Sequence, residues 1–350
     1  MEKARILDYA VNTMSVIVAI ALAIIIAGLL IQISGLNALE GLQELFKSSF
    51  GSYQDIGSTL TRTAPLLLAG LSILFAFRSG VLNIGTEGQY IAGGLFSVLV
   101  ATSIPPMPSF IAIPLVIAAG FFGGMMWALV PAILKAKQNV NELLSSLMMN
   151  YVAFYLLQFL LRDWMRDKSL PVAYPVTKTV PQFARLPTIM PSTSLTASII
   201  IAVISAVGVY FVLQKTTFGF RMRAVGKNPE AAAFSGMNIN LIQFSAMLIS
   251  GGLGGLAGLA EAVGYFNKVN MQFSVGYGYT GILLALMSQL NSLVLIIVSI
   301  FFAGLEIGSQ GMRSIDISYH LSTVTEGVLI IMILLVKPVV QNFLSRRKQK

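Results

Sequence analysis

Between Phe110 and Leu134 the chain carries no charged residue. A bilayer's hydrocarbon core is about 30 Å thick and a helix rises about 1.5 Å per residue, so about 20 apolar residues suffice to cross it. That stretch is long enough to span a membrane, and it is not alone. Comparable runs extend from Met14 to Ile33, Leu195 to Leu213, Leu293 to Ile307 and Val324 to Val336. Runs with more polar interruptions cover Leu60–Phe77, Gly88–Ala101, Leu143–Leu161, Phe244–Val263 and Thr280–Leu290, the last short enough to be a broken helix. The runs lack period-two alternation, which favours helices over a β-barrel. The sequence therefore predicts an all-α, polytopic integral membrane protein of about ten transmembrane helices, with residues 1–350 as a single membrane domain. Only 11% of residues are charged, against about 25% in a soluble domain. That excludes an ordinary soluble enzyme, a disordered chain and a collagen-like fibre.

Lys3 and Arg5 precede the first run, as in a signal peptide. The run exceeds a signal core in length and no small-residue cleavage site follows, so it reads as a span. With ten spans both ends lie on one side. That side then carries Lys3, Arg5, Lys135, Lys137, Lys215, Arg221, Arg223, Lys227 and the tail Arg346, Arg347, Lys348 and Lys350. On the other side the cations are fewer and are offset by Glu40, Glu44, Asp55, Asp163 and Asp167. The basic side is expected to be cytoplasmic, with both termini there. The basic tail reads as a topology determinant or a lipid-surface contact rather than a nucleic-acid site. Residues 163–194 hold Pro171, Pro175, Pro181, Pro187 and Pro191 and should form an irregular external loop. Residues 216–240 should be cytoplasmic.

The two halves, five spans each, enter from opposite sides on this count. Each contains a glycine-punctuated segment: Arg78-Ser-Gly-Val-Leu-Asn-Ile-Gly-Thr-Glu-Gly-Gln89 and Val275-Gly-Tyr-Gly-Tyr-Thr-Gly281. Glycine-interrupted helices at matching places of a 5+5 inverted repeat point to a transporter's solute site. The plainer alternative is that the glycines permit close helix crossing. The run Gly251, Gly252, Gly254, Gly255, Gly258 has the small-residue spacing of a tight helix–helix contact.

Little else in the chain suggests catalysis. There is no cysteine, so thiolate metal sites and cysteine nucleophiles are excluded. His320 is the only histidine, which makes a zinc site improbable. Gly226-Lys227 lacks the upstream glycine of a phosphate loop, and no nucleophile elbow occurs. The expectation is a non-enzyme with no metal and no cofactor. The most legible local element lies in the segment 216–240. Asn228 suits an N-cap, Pro229 the first helical position, and Glu230 the positive end of the dipole. Ala231, Ala232 and Ala233 propagate the turn and Gly236 stops it. Such a helix is too short to stand alone, so it should rest on the membrane surface or in a partner's groove. Arg221, Arg223 and Lys227 fit either.

Several of these stretches together resemble a known family. Phe75-Ala-Phe-Arg-Ser-Gly-Val-Leu-Asn-Ile-Gly-Thr-Glu-Gly-Gln89, then Asn141-Glu142 with Met149-Asn150-Tyr151, then Thr216 to Gly236, resemble in order the signatures of permease subunits of bacterial ABC importers for nucleosides and simple sugars. The resemblance runs from about residue 55 to residue 335. Thr280, Asn291-Ser292 and Lys227 depart from the usual pattern. The resemblance implies a plasma-membrane transport subunit that binds no nucleotide itself. It implies ABC ATPase subunits as partners, gripping Arg221, Arg223, Gly226 and Asn228 to Ala233. It also implies an external substrate-binding protein and a second, shorter permease. The cargo is expected to be a nucleoside or related sugar, with a branched-chain amino acid as the alternative. An ion-coupled transporter and an intramembrane enzyme are the competing classes.

Ionisable residues within the bilayer are costly and are functional candidates. Glu87, with Asn83 and Gln89, could hydrogen-bond a sugar or base, or could instead pair with Arg78 to fix the fold. Tyr277 and Tyr279 suit either a solute passage or an interfacial belt. Glu261, Glu306 and Glu326 read as structural.

Overall fold

A computed structural model describes residues 37–171, 174–273 and 276–315, with a few isolated positions on either side. The expected spans at Met14–Ile33 and Val324–Val336, together with His320, Glu326 and the basic tail, lie outside the described stretches.

Among the described residues there are eleven α-helices and only isolated β-bridges. They are α1 (Ala38–Phe50), α2 (Tyr53–Phe77), α3 (Thr86–Ser103), α4 (Ser109–Gln138), α5 (Glu142–Arg162), α6 (Ser198–Lys215), α7 (Thr217–Lys227), α8 (Pro229–Phe234), α9 (Ile239–Ala262), α10 (Tyr277–Met287) and α11 (Ser292–Gly311). Six of them, α2, α4, α5, α6, α9 and α11, are long and apolar enough to cross a membrane. Each coincides with an expected run. The other two expected runs in this region became α3 and α10. α3 opens on Glu87 and Gln89, and α10 is only 11 residues long. The run at Thr280–Leu290 is displaced: its helix starts at Tyr277, because Gly276 adopts φ +88 and turns the chain into it. It stops before Gln289 and Leu290, which both have positive φ.

The described residues fall into two compact units, 60–301 and 37–59 with 302–315. In the first, α9 packs against α3 and α4. The glycines predicted to permit close crossing do so. A Cβ on Gly258 would collide with the Tyr90 carbonyl, and one on Gly255 would collide with the Gly120 carbonyl. Only hydrogen at these positions lets the backbones meet. Over the most apolar stretch of each helix 83% of α2 and 67% of α9 are buried, against 28% of α4, α5 and α6. Apolar side chains exposed on the latter three, such as Phe110, Phe159 and Ile204, suit contact with acyl chains.

The 163–194 stretch is irregular, as its prolines require. It is tied down by bridges of Arg166 with Thr177 and of Val176 with Asn270. In the second unit, α1 begins at Asn37, whose side chain accepts from Leu39 N at 3.0 Å. Ser49 Oγ donates to Gly304 O at 2.6 Å, joining α1 to α11.

Candidate functional site

The turn after α2 leads into a non-helical stretch, 81–84, that is buried at alternate positions: Val81 and Asn83 are inaccessible, whereas Leu82 is 41% exposed. Non-helical backbone at such a place must find partners in the protein. Asn83 Oδ1 accepts from Gly85 N at 2.9 Å. Ser146 Oγ accepts from Ile84 N at 3.3 Å, and Asn150 Nδ2 donates to Ile84 O at 2.9 Å. Asn150 Oδ1 also accepts from Gly88 N at 2.8 Å. Asn150 thus clamps the entrance to α3 from both ends of its amide.

Of the pathway candidates, Asn83 and Gln89 come together. Asn83 Nδ2 donates to Gln89 Oε1 at 3.1 Å and to Ser250 Oγ at 2.8 Å, and Gln89 Nε2 donates to Asn83 Oδ1 at 3.2 Å. Ser250 Oγ in turn donates to Ser72 O at 2.7 Å. This buried network joins α2, α3 and α9, and the two amides are engaged with it rather than presented outward.

Glu87 points elsewhere. It is 3% exposed. Its Oε2 accepts from Gly278 N at 2.7 Å and its Oε1 from Gly276 N at 3.1 Å. The two glycine-punctuated segments therefore meet, first turn of α3 against first turn of α10. Both helix N-termini present positive dipole ends, and one carboxylate lies between them. Gly278 is required there, because a Cβ would sit 2.6 Å from Glu87 Cα. Arg78, the other conceivable partner of Glu87, directs its guanidinium to Leu290 O, with Nε at 2.9 Å and Nη2 at 2.6 Å.

Tyr277 is buried and lies edge-on to Tyr90, ring centroids 6.3 Å apart, while Tyr90 stacks on Phe273 at 4.8 Å. Tyr279 is 41% exposed, and its hydroxyl accepts from Asn150 Nδ2 at 3.3 Å. The remaining buried acid of this unit, Glu261, is ion-paired to Arg62 at 2.6 Å, and Arg62 also lies over the Tyr265 ring, 4.8 Å from its centroid. Glu142 follows the α5 N-cap Asn141 and pairs with Lys135 at 3.0 Å.

The segment 216–240 folds as a pair of helices. The expected short helix is α8: Asn228 Oδ1 accepts from Ala231 N at 3.0 Å, and Pro229 opens the first turn. Its end is a Schellman motif, with Met237 N bonded to Ala232 O and Gly236 N to Ala233 O. Gly236 supplies the required φ of +76. Ala232 is buried, whereas Ala231, Ala233 and Glu230 face outward and Phe234 is 94% exposed. The preceding helix, α7, is an addition to the sequence reading. Thr216 caps it by accepting from Gly219 N at 3.1 Å. It carries exposed Arg221, half-buried Arg223, and Gly226, whose backbone lies against Gly80: a Cβ on Gly80 would be 3.3 Å from Gly226 Cα. Arg223 also faces Arg78; burial first, and then this like charge, lower the Arg78 pKa from its ordinary value. Among the described residues no group of acids and histidines could hold a metal.

A bundle of helices long and apolar enough to span, two helices meeting at their N-termini and a displayed α7–α8 pair fit a membrane permease. The chain belongs to the family of the branched-chain amino acid transport system permease component, whose model matches residues 56–336. It is 31% identical over 297 residues to the guanosine ABC transporter permease protein NupP of Bacillus subtilis, covering 85% of each chain. It is 29% identical over 339 residues to the nucleoside ABC transporter permease protein NupB of Lactococcus lactis, covering 95% of this chain and 93% of that one. It is 28% identical to the glucose ABC transporter permease protein TsgB13 of Haloferax volcanii, over 88% of this chain and 82% of that one. The protein is thus a multi-pass membrane permease subunit of the ABC importer type.

Proposed function

We propose that this subunit passes nucleosides across a bacterial plasma membrane, driven by separate ABC ATPase subunits and supplied by an external substrate-binding protein. Both termini are cytoplasmic, about ten helices span the bilayer as a 5+5 inverted repeat, and a shorter second permease completes the pathway. Likeness to the guanosine and nucleoside permeases over most of the chain supports the cargo.

The observation that carries the mechanism is α8. It is capped at both ends, displays Phe234 and Glu230, and continues from α7, whose Gly226 rests on the Arg78–Gly80 turn. An ATPase subunit holding α8 would move that turn. From there Arg78 reaches Leu290 beyond α10, and the half-buried non-helical stretch 81–84 leads into α3. Closure of the ATPases would thereby shift the two helix N-termini that Glu87 joins. Glu87, Tyr277 and Tyr279 are the proposed pathway residues, with Asn83 and Gln89 holding its wall. Sparse polar contacts suit a pathway that must release what it carries.

The test is uptake by proteoliposomes containing both permeases and the ATPases, with binding protein outside. Guanosine should enter only with ATP and hydrolysis-competent ATPases. Uptake by this chain alone, driven by a proton or sodium gradient, would overturn the mechanism. ATP-driven uptake of leucine or glucose in place of nucleosides would overturn the cargo alone.

A further inference from the structure

Two cavities adjoin near the far ends of α3 and α5. Val81, Ala132 and Met247 pack together at the opposite end, where Lys135 and Glu142 pair across the α4–α5 link. One cavity, of about 240 Å³, is a wholly apolar groove between α3, α4 and α5, lined by Leu95, Leu156, Leu160 and Trp127. The other, of about 230 Å³, is polar and lined by Thr102, Ser103, Arg166 and Lys178. They share Leu99, Trp164 and Met165 in their walls, so they lie side by side.

The polar end carries two cations. Arg166 has its Nε and Nη1 buried without a hydrogen-bond partner, which is costly for a guanidinium unless a ligand satisfies it. Asp163 pairs with Lys168 at 3.2 Å, and Asp167 accepts from Ser169 Oγ at 2.6 Å and Ser169 N at 3.0 Å while also facing Lys178, so among the described residues no acid is hydrogen-bonded to Arg166 Nε or Nη1. Trp164, 73% exposed at the junction, is a residue type that favours the headgroup level of a membrane. A free anion would use the polar cavity but not the groove beneath it, and an apolar solute would use the groove but not the cations.

We propose that the joined cavities bind one phospholipid, its phosphate between Arg166 and Lys178 and one acyl chain in the groove. On the orientation proposed above it comes from the outer leaflet. The assignment needs only that the chain spans a membrane, and it stands whatever the cargo is.

The test is lipid mass spectrometry on the detergent-purified protein through graded delipidation. The wild type should retain a stoichiometric phospholipid after the bulk lipid is gone. Arg166→Gln and Lys178→Gln should each weaken retention about tenfold, the loss of one charge-assisted contact. Leu160→Trp, which fills the groove from a half-buried position, should release the lipid with helix content unchanged. Lys168→Gln should retain it. Equal retention in the Arg166 variant and the wild type would overturn the proposal. So would displacement by inorganic phosphate with Leu160→Trp silent, which would mark a soluble-anion site. Loss of pairing with the second permease on Leu160→Trp, without lipid loss, would mark a protein interface instead and overturn it equally.

Discussion

Glu87 Oε2 accepts the backbone N–H of Gly278 at 2.7 Å, which joins the first turn of α3 to the first turn of α10. Isolated positive helix ends would attract an anion from solution. Here the protein supplies its own carboxylate, a better match to uncharged cargo than to a charged one. The same contact joins two elements 189 residues or more apart in sequence.

Replacing Glu87 by Gln keeps the shape, removes the charge and leaves one acceptor for the Gly276 and Gly278 N–H groups. A charge-assisted hydrogen bond contributes about 1.5–3 kcal/mol and a neutral one about 1 kcal/mol, so losing one of the two bonds and weakening the other should cost the α3–α10 junction about 2–5 kcal/mol. ATP-driven uptake should fall further in Glu87→Gln than in Glu306→Gln, measured at matched expression. The opposite ranking would move the pathway away from α3.

Arg62 and Glu261 form a buried pair. Arg62→Met leaves a carboxylate without that cation and should destabilise by about 3–5 kcal/mol. Adding Glu261→Leu should recover most of it, since an apolar pair of similar volume is often neutral. Thermal unfolding in detergent reads both. If the double variant is as unstable as the single one, the pair is not the unit described.

Two glycines should respond in opposite directions to alanine. At Gly258 a methyl would collide with the Tyr90 carbonyl, whereas at Gly208 nothing lies within 4 Å. Gly258→Ala should force α3 and α9 apart and destabilise by about 1–3 kcal/mol. Gly208→Ala, inside α6, should stabilise by about 0.5–1 kcal/mol. Equal effects would contradict the packing of α9.

The caps of α8 can be weakened without touching its exposed face. Asn228→Ala should cost about 1 kcal/mol of local stability, and Gly236→Val, at φ +76, about 1–2 kcal/mol. Both variants should insert normally yet show ATP hydrolysis poorly coupled to uptake. Full coupling in the double variant would remove α8 from the transmission route.

The long elements were legible because apolar length is a strong signal: Phe110–Leu134 and Leu195–Leu213 became α4 and α6. The α8 caps were legible because capping is local chemistry. α1 was missed because its stripe is amphipathic rather than apolar, and α7 because Arg221 and Arg223 interrupt it. At the site, the residues were legible but their relationships were not. Asn83, Gln89 and Glu87 looked like one cluster, yet the carboxylate turns to Gly276 and Gly278, residues whose nearness no local pattern encodes. Arg78 offered a charge, and the fold uses it on a backbone carbonyl of Leu290 instead. Phe234 carried no signal beyond being aromatic, and only the fold shows that it is exposed.

The chain contains no cysteine, so Phe234→Cys places a single thiol at the tip of α8. Crosslinking from that thiol in assembled complexes asks directly whether α8 is held by the motor on the cytosolic side. The account predicts a crosslink to an ATPase subunit, formed in inverted vesicles and blocked when the ATPases are stripped. A thiol labelled from outside intact cells by an impermeant reagent, with no ATPase adduct, would contradict it.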